Sequence, residues 1–169
     1  DVIVNKSVTI RGPNYMIDPC SATPRMPEAI VVPATSAISS GEIFHVAADN
    51  VTISGFTIDG DNTALSSGYS STNGADIDAA EGITVYETGV NGLTVTNNII
   101  QNLSYFAVTL YDYPAALPSS GHTISNNKIQ DMGTYDPGVT LNFWGGGVLL
   151  YNNQYAAVTD NCMENVRLG

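Results

Sequence analysis

The apolar positions of this chain recur in short alternating runs rather than in helical arcs. In Val51-Thr52-Ile53 the outer residues are apolar and the middle one polar, the period of two of a strand with one buried face. The run passes through Ser54-Gly55-Phe56 into Thr57-Ile58-Asp59, so two short strands flank a tight turn. The block recurs without gaps as Leu93-Thr94-Val95-Thr96-Asn97-Asn98-Ile99-Ile100-Gln101 and as His122-Thr123-Ile124-Ser125-Asn126-Asn127-Lys128-Ile129-Gln130. Val8-Thr9-Ile10-Arg11-Gly12 opens the series, and Ala156-Ala157-Val158-Thr159-Asp160-Asn161-Cys162-Met163-Glu164 closes it. The central apolar markers Ile10, Ile53, Val95, Ile124 and Val158 are 43, 42, 29 and 34 residues apart. A constant motif at irregular spacing indicates one structural unit carrying loops of variable length.

A further strand precedes each of the last four units: Ile43–Val46, Ile83–Tyr86, Phe106–Leu110 and Val148–Tyr151. No stretch shows a 3.6-residue period with helix caps. Three short strands per coil, stacked in parallel at about 4.8 Å, make a rod with a column of Val, Ile, Leu and Phe inside. The turn between the second and third strands carries Asn98, Asn127 and Asn161 at one aligned position and Asn97, Asn126 and Asp160 at the neighbouring one. Asn tolerates left-handed backbone, and stacked amides hydrogen-bond from coil to coil. In the second coil the equivalent pair is Gly55-Phe56, so an Asn ladder is expected only from the third coil onward.

Motifs such as Asn50-Val51-Thr52-Ile53-Ser54-Gly55-Phe56-Thr57-Ile58 and Leu93-Thr94-Val95-Thr96-Asn97-Asn98-Ile99-Ile100 resemble the right-handed parallel β-helix of the pectin-lyase-like superfamily. The resemblance covers essentially the whole chain. It implies an all-β solenoid of about five coils, three short strands each, with long loop insertions, as one domain over 1–169. That superfamily includes lyases, hydrolases, epimerases, adhesins and tailspikes, so the likeness specifies fold and not activity. Repeat arrays need polar caps, and the sequence opens on the strand Val2-Ile3-Val4 and stops after the last turn. The expectation is a segment of a larger exported or cell-surface bacterial protein with neighbouring domains, whose bare coil ends associate.

Composition narrows the partners. The chain has 169 residues, 43% of them apolar and 12% charged, with 16 acidic against 5 basic side chains and a formal charge of -11. Such a surface repels phosphate backbones, which argues against nucleic acid. No apolar run approaches the ~20 residues of a membrane span, so membrane insertion is not expected. The two cysteines, Cys20 and Cys162, fit no metal or redox motif; they could pair, and nothing in the sequence requires it.

On a solenoid the insertions are the places for function. Asp59, Asp61, Asp76 and Asp78 bracket one insertion, with Glu81 at its end, and offer hard oxygens of the kind Ca²⁺ takes. Solvated loop carboxylates are the stronger alternative. Tyr86, Tyr111 and Tyr151 close successive first strands and are placed to stack along one side of the rod, with Tyr113, Tyr135 and Trp144 in adjoining loops. Such rings suit sugar faces, and they suit covering coil edges equally. For a glycoside hydrolase, Asp112 and Asp136 are the best-placed acid and base on this side. The Gly-His-Gly of the superfamily's hydrolases is broken here by Thr123, and the Tyr-x-Asp-Pro-His of its epimerases by Gly138. A polyuronate lyase needs a cation beside the substrate carboxylate, yet Lys6, Arg11, Arg25, Lys128 and Arg167 all fall outside the first strands. The expectation is thus a non-catalytic module for structural presentation or polysaccharide binding. A carbohydrate-active enzyme and a protein-binding adhesin are the competing classes.

Overall fold

A computed structural model of the chain describes residues 1–112, 118–134 and 145–166. Among the described residues, fifteen strands lie in three sheets of five, and every ladder within the sheets is parallel. The first sheet orders β1 (Val2–Val4), β4 (Ala37–Val46), β7 (Ala79–Val85), β10 (Phe106–Tyr111) and β13 (Gly146–Tyr151). The second orders β2 (Thr9–Arg11), β5 (Thr52–Ser54), β8 (Thr94–Thr96), β11 (Thr123–Ser125) and β14 (Ala157–Thr159). The third orders β3 (Ile30–Val31), β6 (Thr57–Asp59), β9 (Ile99–Gln101), β12 (Lys128–Gln130) and β15 (Cys162–Glu164). Each coil contributes one strand to each sheet in turn. The protein is a five-coil parallel β-helix.

The register explains the motif. Ile10, Ile53, Val95, Ile124 and Val158 form one continuous row, and Val31, Ile58, Ile100, Ile129 and Met163 another. The middle members of both rows are wholly buried, whereas Val158 and Met163 on the last coil are exposed. A one-residue slip would turn each row out to solvent, so the alternation fixes the pairing. The first-sheet strands β4 and β7 begin six and four residues earlier than the apolar runs indicate, and the register shifts between Ala37 and Glu42.

The Asn ladder is present and begins at the third coil. Asn98 Nδ2 donates to Asn127 Oδ1 at 3.1 Å, and Asn127 Nδ2 donates to Asn161 Oδ1 at 3.0 Å. Below it the Phe56 backbone N–H donates to Asn98 Oδ1, so the amide column is completed by main chain where the side chain is missing. Asn97, Asn126 and Asp160 all have φ between 53° and 58°, and Gly55 takes their place with φ 80°.

Between β2 and β3 the chain leaves the coil and runs as a strap along this corner of the rod. Tyr15 O accepts from Ser54 Oγ and from Asn97 Nδ2, and Arg25 donates to Asn97 O from the next turn of the strap. The strap also carries a disulfide from Cys20 to Cys162 on the last coil. The pairing that the sequence leaves open is therefore made, across 142 residues.

Candidate functional site

The outward side of the first sheet gathers the rod's polar and aromatic chemistry. Thr109 pairs with Thr84, and Thr84 with His45, in one row across three coils. Tyr111 pairs with Tyr151, and Tyr86 follows directly on β7 at the corresponding level. The three rings do line up. Tyr111 stacks on Tyr151 with centroids 4.6 Å apart, and Tyr86 meets Tyr111 edge-on at 6.1 Å. Tyr86 and Tyr151 are 42% and 44% exposed, and Tyr111 between them is half-buried.

Beside the rings stands a set of carboxylates, of which the sequence singles out Glu81 alone, and that as part of the acidic insertion. Glu42 and Glu81 are register partners on β4 and β7. The Glu42 carboxylate takes the Thr84 hydroxyl at 3.1 Å and His45 Nδ1 at 2.8 Å. The second ring nitrogen of His45 lies 2.5 Å from Glu87. A carboxylate only accepts, so this double contact favours the imidazolium, which donates from both nitrogens. Burial alone would work against that charge, but the Glu87 and Glu42 carboxylates outweigh it and raise the His45 pKa.

Glu81 is only 5% exposed and accepts hydrogen bonds from the Tyr86 and Thr109 hydroxyls. Burial raises its pKa against the help of those two donors, and Glu42 adds to the rise. Tyr86 is pushed up in turn, by burial first and then by its bond to Glu81. Glu81 therefore belongs to a sheet strand and orients a ring of the stack, whereas the sequence reading grouped it with the acidic insertion. The shared placement was latent in the strand alignment. Phe44 and Ile83 are register partners, and each is preceded at two residues by glutamate.

The other expected residues fall elsewhere. Asp112 does not face an open groove. It is 1% exposed, and its Oδ2 accepts from both the backbone N–H and the hydroxyl of Ser119, closing the base of a loop. Asp136, Tyr113, Tyr135 and Trp144 lie outside the described residues. Of the four insertion aspartates, Asp59 accepts from the Asp61 N–H, Gln101 and Asn102, and Asp76 from Ser67. Asp78 is fully buried and holds the Asn62 N–H. These carboxylates fold the insertion through its backbone and side-chain donors. Asp61 has a raised pKa, from burial and then from Asp59, Asp76 and Asp78 nearby. Among the described residues, no group of three or more His, Cys, Asp or Glu is arranged to hold a metal ion. His122 is buried at the start of β11's repeat and accepts the Leu93 N–H on Nδ1.

Among the described residues no helix is long and apolar enough to cross a membrane. Compared with family models, curated proteins and solved structures, the chain matches none of them.

Proposed function

We propose that this chain is a polysaccharide-binding β-helical module of an exported or cell-surface bacterial protein, akin to the pectin-lyase-like superfamily, with the glycan lying along the first sheet. The observation that carries the reading is the Tyr86–Tyr111–Tyr151 stack, which crosses three successive coils and leaves Tyr86 and Tyr151 exposed. Sugar rings present apolar C–H faces ringed by hydroxyls, and a tyrosine stack flanked by carboxylate acceptors complements both. The Cys20–Cys162 disulfide supports an oxidising compartment such as the cell exterior.

The test is retention on immobilised neutral and acidic polysaccharides, with and without Ca²⁺, for the wild type and Tyr111→Ala. Binding weakened about tenfold or more in the variant, roughly 1.4 kcal/mol, supports the reading. A wild type that binds no polysaccharide, or a variant that binds as well as the wild type, overturns it.

A hydrolase is the second reading, and the pairing of Glu42 with Glu81 favours it. Glycoside hydrolysis needs two carboxyl groups with different proton affinities, and burial raises that of Glu81. Release of new reducing ends that Glu81→Gln abolishes would establish this activity. Cleavage that survives the substitution would remove the pair from consideration.

A further inference from the structure

The tyrosine row continues downward into a charged one. His45 on β4 stacks on Tyr86 with centroids 6.5 Å apart and ring planes 26° from parallel. One ring from each of the second to fifth coils, His45, Tyr86, Tyr111 and Tyr151, thus follows the next along the first sheet. The lower half of this row is edged by carboxylates. Glu42 and Glu87 hold the two nitrogens of His45, and Glu81 takes the Tyr86 hydroxyl.

The charges there do not cancel. Even with Glu81 counted as neutral, Glu42 and Glu87 outnumber the single imidazolium of His45. The strands β1, β4, β7, β10 and β13 contain no Lys or Arg. The described basic residues stand elsewhere: Lys6 and Arg11 on the first coil, Arg25 against Glu28 and Lys128 against Glu164. Among the described residues Glu87 Oε2 has no hydrogen-bond partner, although the side chain that carries it is 40% exposed. An ionised oxygen screened from water and left unpaired is costly, and a donor brought by a ligand relieves it.

A glycan laid on the rings therefore meets excess negative charge at the second and third coils. A uronate or sulfate group is repelled there. Sugar hydroxyls can donate to a carboxylate, but an ammonium offers three donors and a charge, and such bonds are roughly twice as strong. We propose that the tyrosine row selects a glycan bearing free amino groups, a hexosamine chain. The ammonium of one sugar is set against Glu87 and Glu42, and the adjoining sugar faces lie on Tyr86 and Tyr111. The assignment rests on the glycan-binding reading and adds to it the class of glycan, with Glu87 and Glu42 as the residues that determine specificity.

The experiment is calorimetric titration of the intact chain with a glucosamine tetramer, its N-acetylated counterpart and a galacturonate tetramer, which differ in charge at similar length. The glucosamine tetramer is expected to bind about fivefold tighter than the acetylated one, the scale of one partly exposed charge pair, and the galacturonate tetramer to bind weakest. Glu87→Gln should remove that advantage, with circular dichroism confirming that the variant folds. Asp160→Asn should keep it. That exposed carboxylate is on the fifth coil, at a position where the third and fourth coils carry Asn97 and Asn126, so the variant separates recognition at the rings from general attraction to an acidic protein. Equal affinity of the wild type for the amino and acetylated tetramers overturns the assignment, as does tightest binding of galacturonate. So does an advantage that survives Glu87→Gln or is lost in Asp160→Asn. In each of these cases the glycan-binding reading stands if Tyr111→Ala still weakens retention on a polysaccharide; a wild type that binds no polysaccharide removes both.

Discussion

Asn127 Oδ1 accepts two hydrogen bonds from Asn98, one from its side-chain amide at 3.1 Å and one from its backbone N–H at 3.0 Å. The Asn127 amide in turn donates to the carbonyl oxygens of Val95 and Ser125 and to Asn161. Asn127 is fully buried, so a shortened side chain leaves these groups without water to replace it. Leaving a buried polar group unmade costs about 1–3 kcal/mol. Asn127→Ala is expected to destabilise the rod by roughly 2–4 kcal/mol, since more than one group is orphaned. Urea unfolding measures this, and a loss below about 1 kcal/mol would mean the ladder contributes little.

The strap's disulfide closes a loop of 142 residues' separation. By loop-closure entropy its removal should lower stability by about 3–5 kcal/mol. Cys20→Ser with Cys162→Ser, compared with the oxidised wild type in denaturant, gives the value. The same double variant should become cleavable by trypsin at Arg25, whose guanidinium now bonds Glu28 and Asn97 O. Undiminished stability together with unchanged trypsin resistance would show that the strap holds without its covalent link.

His45 sets a pH dependence with a definite sign. Its pKa is raised in the fold, so its contribution is fully present below the unfolded value of about 6.5 and is lost as pH climbs through the folded one. The stability difference between the wild type and His45→Gln should therefore be largest in mild acid and shrink from about pH 6.5 upward. Glu81, raised by burial, also loses stability as pH rises, but from nearer 4.5, and both proteins share that slope. Proton titration of the His45 ring by NMR checks the assignment. A value below 6.5 would contradict the double ion pair.

Gly55 stands where the other coils have Asn97, Asn126 and Asp160, which makes Gly55→Asn look harmless in the alignment. It is not. A Cβ at Gly55 would come within 2.1 Å of Tyr15 N and 2.5 Å of Asn14 C, both strap backbone. Gly55→Asn is expected to cost about 1–3 kcal/mol through this overpacking, and Asn126→Gly less than 1, because Gly adopts the same positive φ freely. Thermal melts of the two variants provide the comparison, and the reverse ranking would contradict the strap's position on Gly55.

That contrast also marks how far the sequence is legible. Ile53, Val95 and Ile124 disclose their row because the motif aligns without gaps and a strand's side chains alternate strictly. The Asn ladder and the tyrosine stack follow from the same alignment, one residue per coil at a repeated offset. Contacts made by the insertions obey no such period. Nothing in the spacing of Cys20 and Cys162 says that the strap is long enough to reach the fifth coil. For Asp59, Asp76 and Asp78 the sequence shows proximity but not the Ser67, Asn62, Gln101 and Asn102 donors that their carboxylates meet. Nor does the sequence show that Ser119 donates twice to the Asp112 carboxylate. Glu42 and Glu81 were hidden for a different reason: 38 residues of loop and short strands separate two positions that the register makes neighbours.

The strap also fixes an order of events during synthesis. Coils of a parallel solenoid need only their neighbours, so the rod can form progressively as the chain emerges from the ribosome. Cys20 is made early, yet its partner on the fifth coil is made 142 residues later. Until then the thiol at Cys20 is unmatched and the strap is held by noncovalent contacts, among them those to Ser54, Gly55 and Asn97. Oxidation joining this pair thus reports that the fifth coil has arrived, and the bond serves as a covalent record that coils one to five are in place.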